Sequence, residues 1–102
     1  MINIDDLKNS YERINKYLLD TPIVSSGSLN KKLNAKIFLK NEVEQLTGSF
    51  KIRGALSALS NLKKKGTEGV VAYSSGNHAQ GISKAAQIFN MHAIIVMPED
   101  AP

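Results

Sequence analysis

The sequence predicts an α/β chain built on a parallel sheet, and two observations carry that prediction. Residues 70–73 (Val-Val-Ala-Tyr) and 93–97 (Ala-Ile-Ile-Val-Met) are apolar throughout. Strands without polar alternation belong to a parallel sheet covered on both faces. Between them lie a glycine-bearing turn and a helix-length segment with apolar residues at three- and four-residue steps. Strand, turn, helix and strand within about 30 residues is the spacing of a βαβ unit. A covered parallel sheet needs more strands and helices than 102 residues supply here. The expectation is therefore an incomplete sheet, finished by further sequence or by another chain.

The elements follow in chain order. Ile4, Leu7, Tyr11, Ile14 and Leu18 recur at helical steps and predict an amphipathic helix over about 4–18. Thr21-Pro22 ends it, because the residue before proline avoids helical geometry. Ser25-Ser26-Gly27-Ser28 reads as a turn, with Ser26 or Ser28 capping a short helix through Leu33. Residues 36–40 (Lys-Ile-Phe-Leu-Lys) read as a short strand. Residues 42–48 are polar and aperiodic, hence a loop, and Ser49 is placed to cap the next helix. Ile52, Ala55, Leu56, Leu59 and Leu62 form the buried stripe of that helix, which runs to about Lys65 and ends at Gly66. The strand at 70–73 comes next. A helix over 77–90 then buries Ala79, Ile82, Ala85, Ala86 and Phe89, and the strand at 93–97 stops at Pro98.

Composition narrows the function classes. Thirteen basic against nine acidic residues give a net charge of +4. That surplus is spread along the chain except at Lys63-Lys64-Lys65. The triplet reads as a solvated helix end favoured by the helix dipole. No aromatic residues interleave with it, so it does not resemble a base-stacking surface, and no nucleic-acid partner is expected. The absence of cysteine excludes disulfides and thiolate chemistry. The acidic start at Asp5-Asp6 is unlike a secretory signal, and no run reaches the roughly 20 apolar residues of a membrane span. The expectation is a cytoplasmic protein without a membrane partner.

Two segments carry chemistry. The first is Thr47-Gly48-Ser49-Phe50-Lys51-Ile52-Arg53-Gly54. Gly48 permits a sharp turn, and Lys51 falls in the first turn of the helix that follows. A positive charge is disfavoured there by the helix dipole, which favours the free amine that attacks carbonyl groups. Position alone favours the plainer reading, an exposed helix lysine. The second is Ser74-Ser75-Gly76-Asn77-His78-Ala79-Gln80-Gly81. It leaves the C-terminal end of a strand and opens a helix, the edge where open α/β sheets bind ligands. Free N–H groups, two hydroxyls, an amide and an imidazole suit a carboxylate or phosphate. A capped βα turn without a ligand is the plainer alternative. The segment is neither a phosphate-binding P-loop nor a dinucleotide fingerprint. His78 and His92 lack partners at ligand spacing, so no metal is expected. Asp5, Asp6, Glu42 and Glu44 read as surface or capping acids.

Together these segments resemble the fold-type II pyridoxal-phosphate enzymes, the tryptophan-synthase-β-like family, and within it the threonine/serine dehydratases and serine racemases. The residues that carry the resemblance are Lys40-Asn41-Glu42, the stretch from Gln45 through Thr47-Gly48-Ser49-Phe50-Lys51 to Ala55, the turn from Ser74 to Gly81, and Ile95-Val96-Met97-Pro98 with Ala101-Pro102. The match runs from about residue 18 to 102.

The resemblance implies a partial three-layer αβα parallel sheet. The chain would be the N-terminal portion of a catalytic domain, and its smaller βαβ subdomain would begin near residue 50. It implies that Lys51 forms the Schiff base with pyridoxal 5'-phosphate and later removes the substrate α-proton. Phe50 would pack at the cofactor, and Asn77 would contact its 3′ oxygen. Ser75, Gly76, Asn77 and His78 would grip the substrate carboxylate, and in racemases the residue matching Ser75 is also an acid/base. The implied reaction converts L-threonine or L-serine to a 2-oxo acid and ammonia; racemization of serine is the alternative within the family, and a truncated remnant without catalysis is a third. The family's glycine-rich phosphate loop would lie beyond residue 102, so catalysis is expected only with that segment present. A homo-oligomer, dimer or tetramer, is implied for the full-length protein.

Overall fold

A computed structural model describes residues Met1–Pro102. Four helices and four strands follow in the order α1 (Ile4–Ile14), β1 (Ile23–Val24), α2 (Gly27–Leu33), β2 (Leu39–Lys40), α3 (Lys51–Lys64), β3 (Gly69–Tyr73), α4 (Asn77–Phe89) and β4 (His92–Val96). The βαβ unit forms as expected. β3 and β4 pair in parallel, with Gly69 opposite His92 and Tyr73 opposite Val96. A second, antiparallel pair joins β1 to β2, with Ile23 opposite Lys40. The sequence reading had one strand there, at 36–40; the paired segments are only two residues long each, too short for periodicity to register.

Helix ends are set by local chemistry. Asn3 caps α1: its side chain accepts from the N–H groups of Asp5 and Asp6, and Asp6 returns a bond to the Asn3 N–H, a capping box. α3 closes on Gly66, whose φ of +81° takes the left-handed turn while the N–H groups of Gly66 and Thr67 donate to Lys63 and Leu62. Asn34 and Asn90 end α2 and α4 in the same left-handed conformation. Asparagine tolerates it better than most residues that carry a Cβ.

The core lies between α3 and α4. Ile52, Leu56 and Leu59 of α3 are its largest fully buried side chains, and Ile82, Ala85 and Ala86 of α4 meet them. Val70, Ala72 and Ile95 pack from one face of the β3–β4 pair. Val71, Tyr73, Ile94 and Val96 on the other face stand exposed. Within residues 1–102 the sheet is covered on one side, in keeping with the incomplete sheet that the sequence predicts.

α1 differs from expectation in length and in facing. Its α-helical part stops at Ile14, and Asn15–Tyr17 continue as a 3-10 turn. Ile14 is buried against α3, but Ile4, Leu7 and Tyr11 of the anticipated core stripe are exposed. The contact with α3 includes a 2.6 Å hydroxyl–hydroxyl bond between Ser10 and Ser57. Ser10 stands on the face next to the stripe, so the periodicity located the helix while its packing face is rotated. No helix is long and apolar enough to cross a membrane.

Candidate active site around Lys51

The chain enters α3 through a tight loop. Two 3-10 turns, Glu42–Glu44 and Leu46–Gly48, replace the irregular loop expected at 42–48. Thr47 and Gly48 both adopt positive φ, +66° and +68°. For glycine this costs little, whereas a β-branched threonine there is strained. The Thr47 Oγ1 is buried without a hydrogen-bond partner. Ser49, expected as the cap, is buried, and its Oγ accepts from the Lys51 N–H at 3.4 Å, while Phe50 occupies the cap position with helical backbone angles.

Side chains anchor this loop. Gln45 is 3% exposed and treats Leu19 as a strand partner would: its Oε1 accepts the Leu19 N–H at 3.0 Å, and its Nε2 donates to the Leu19 carbonyl at 2.9 Å. Arg53 donates to both oxygens of Glu42 at 2.7 Å. The buried Thr21 adds a hydroxyl bond to Glu42. The Arg53 guanidinium, first among the causes, holds the Glu42 carboxyl well below its usual range, at about 2. Desolvation opposes that shift, and Thr21 and Lys40 assist it. Glu42 is therefore not the surface or capping acid that sequence reading made it. It joins the loop to α3 two residues beyond Lys51. An arginine eleven residues from an acid has no periodic relation to it, so no sequence pattern marks the pair.

Lys51 opens α3 with its side chain exposed and its Nζ 5.0 Å from the centroid of the Phe50 ring. Phe50 is itself 61% exposed, a large aromatic face left free beside an amine. The turn from Ser74 to Asn77 leaves the end of β3. The Ser74 N–H still bonds to the Val96 carbonyl at 3.1 Å, so the turn begins on the sheet ladder. Gly76 sits at the start of α4 without a side-chain cap. The first N–H groups of α4 consequently have no acceptor from a capping side chain, the condition in which a helix start receives an anion.

Packing of α3 against α4 brings the two segments together. Lys51, Phe50 and Ala55 line a cleft of about 280 Å3 with His78 and Ile82. On the other side of Phe50, a cleft of about 390 Å3 is bounded by Gly48, Ser49, Phe50 and Asn77. Phe50 thus separates the lysine side from the asparagine side. Ser75 and Gly76 are exposed on the turn and line neither cleft. The loop anchors Glu42, Arg53, Gln45 and Thr21 were missed as parts of the site's framework; the one signal for them was their place inside or beside the quoted motifs.

An exposed amine beside a free aromatic face is chemistry that suits a carbonyl-bearing cofactor, and an uncapped helix start is chemistry that suits an anion. Residues 14–102 match the family model described as pyridoxal-phosphate dependent enzyme, and the chain belongs to that family. It is 48% identical over 95% of its length to L-threo-3-hydroxyaspartate ammonia-lyase of Saccharomyces cerevisiae, covering 30% of that protein. It is 46% identical over 96% of its length to serine racemase of Schizosaccharomyces pombe, covering 31% of it. Among solved structures, the T.th. threonine deaminase superposes with a TM-score of 0.83 at 43% identity, over 96% of this chain and 34% of that one. The chain therefore spans about three tenths of the length of the curated relatives it matches.

Pyridoxal phosphate is the family's cofactor. The residues present fit its reactive end: a lysine amine free in solvent, a phenylalanine ring with 61% of its surface available beside that amine, and an asparagine across the ring.

Proposed function

We infer that the protein carrying this chain is a pyridoxal-phosphate-dependent dehydratase that converts L-threonine or L-serine to a 2-oxo acid and ammonia. One observation carries the reading: α3 and α4 start side by side, so that the solvent-accessible Lys51 shares one cleft with His78 from the first turn of α4, while Asn77, which opens that uncapped helix, borders the cleft on the other side of Phe50. The threonine deaminase and ammonia-lyase names among its relatives support the reaction type.

Each residue has a part. The Lys51 Nζ holds the cofactor and, once free, takes the α-proton of the substrate. Phe50 packs beside that amine and limits its swing. Asn77 offers its amide to the cofactor's 3′ oxygen. Ser75, Gly76, Asn77 and His78 hold the substrate carboxylate through the N–H groups at the start of α4 and their side chains. The cofactor, when bound, supplies the electron sink for the charge that proton removal leaves behind. Lys51 therefore both anchors the cofactor and moves the proton, and no other lysine opens a helix beside that turn.

A second reading, serine racemization, is favoured by the 46% identity to a serine racemase and by the presence of Ser75 in the turn. Product analysis separates the two. With L-serine and L-threonine, 2-oxo acid and ammonia are the expected products; D-serine without them would replace the first reading by the second. Borohydride reduction with pyridoxal phosphate should label Lys51, and label on another lysine would refute both.

A further inference from the structure

We propose that Gly81 is a positioning residue, whose missing side chain sets how closely the first turns of α4 approach Lys51 and so where the Lys51 amine stands relative to Asn77 and His78. The proposal rests on the reading of Lys51 as the cofactor-bearing lysine. A Cβ built on Gly81 would lie 3.2 Å from the Lys51 carbonyl carbon and 3.3 Å from both the Lys51 oxygen and the Ile52 nitrogen. All three are main-chain atoms, so no rotamer change relieves the contact. Gly81 is buried inside α4, where glycine is a poorer helix former than alanine. Its backbone does not occupy the left-handed region that would demand glycine. Close approach is the remaining reason for a glycine at this position. Gly54, on the facing helix, has nothing within 4 Å of its virtual Cβ, so the crowding is local to Lys51.

The lever is short. His78 and Asn77 lie three and four residues before Gly81 on the same helix, on the same face one turn away. A methyl group at 81 must push the helices apart by a few tenths of an ångström to reach ordinary contact, and the turn that carries Asn77 and His78 moves with it. Misplacement by 1 Å costs roughly a hundredfold in rate, so a displacement of about 0.3 Å should cost about fourfold.

The test compares Gly81→Ala with Ala85→Val in the full-length protein. Ala85 is wholly buried in the same core one turn further along α4, so overpacking there disturbs the helix pair away from Lys51. Three measurements are made: pyridoxyl label on Lys51 after borohydride reduction, acylation of Lys51 by a limiting amine-reactive acylating reagent without cofactor, and steady-state kinetics giving kcat and KM. For Gly81→Ala the expected result is about fourfold less label, an altered acylation rate, and kcat lowered about fourfold with KM within about twofold. Ala85→Val should keep its Lys51 label and acylation even where its melting temperature falls further. Equal labelling of Gly81→Ala and the unsubstituted protein would overturn the proposal, as would equal losses in both variants. Failure of Gly81→Ala to fold would also count against it, because a shift of a few tenths of an ångström is all it invokes. Label on a lysine other than 51 in the unsubstituted protein would instead overturn the Lys51 reading, and the role of Gly81 with it.

Discussion

Replacing Glu42 by glutamine keeps the shape of the side chain and removes its charge. The Glu42 side chain is 13% exposed and the Arg53 side chain 30%, so the pair is shielded from water on one side more than on the other. Its folded-state pKa of about 2 against 4.5 corresponds to about 3 kcal/mol of stability at 1.36 kcal/mol per pH unit. Breaking a buried pair costs about 3–5 kcal/mol, and the partial exposure of Arg53 reduces this toward about 2–3. The pKa is depressed on folding, so the contribution is fully present above pH 4.5 and is lost as pH falls from 4.5 toward 2. Urea unfolding of both proteins at a series of pH values from about 7 to about 2 measures it. The unsubstituted protein should exceed Glu42→Gln by about 2–3 kcal/mol near neutrality. That difference should shrink below pH 4.5 and nearly vanish near pH 2, other carboxylates cancelling in the comparison. A difference that stays constant over the whole range, or one below about 0.5 kcal/mol at neutrality, would refute the assignment of Glu42 as the anchor of this loop.

Two further outcomes follow from the packing. Gln45→Leu removes both bonds to the main chain of Leu19 and leaves its part-buried N–H and carbonyl without these partners; a loss of about 1–3 kcal/mol is expected, together with faster hydrogen exchange at the Leu19 amide. Leu56→Ala opens a cavity at a fully buried site in the α3–α4 core, for which a loss of about 3–5 kcal/mol is expected in denaturant unfolding.

The second half of the chain was legible because its signals are redundant. In α3, Ile52, Ala55, Leu56 and Leu59 keep helical spacing, and Gly66 stops them where the structure does. In the βαβ unit, apolar runs too short for helices flank a turn with serines and a glycine. The boundaries of β3, α4 and β4 differ from expectation by a single residue. The first half was less legible because its order depends on side chains reaching across the chain. Gln45 stands in for a strand at Leu19, and Glu42 finds Arg53 on another element; neither has a periodicity. Leu7 and Tyr11 show the converse, a regular apolar stripe that the described fold leaves in solvent. At the site, the two chemistry-bearing segments were recognisable one by one. Their meeting around Phe50 depends on a helix–helix contact at Gly81, which no local pattern encodes.

The one-sided cover of the β3–β4 pair has a thermodynamic consequence. The folded chain exposes 7384 Å2, against about 5,700 Å2 for a closed monomer of 11.1 kDa. Its radius of gyration is 16.4 Å, where about 13 Å is typical of a closed domain of this length. Part of the apolar surface that unfolding normally reveals is already wet in the folded state, at Val71, Tyr73, Ile94 and Val96. Unfolding this stretch of chain therefore exposes about a sixth less surface than its length implies. The heat-capacity increment and the denaturant slope, both set by newly exposed surface, fall with it. Unfolding by itself, this stretch of 102 residues therefore has a stability curve flatter with temperature than that of a closed domain of equal length.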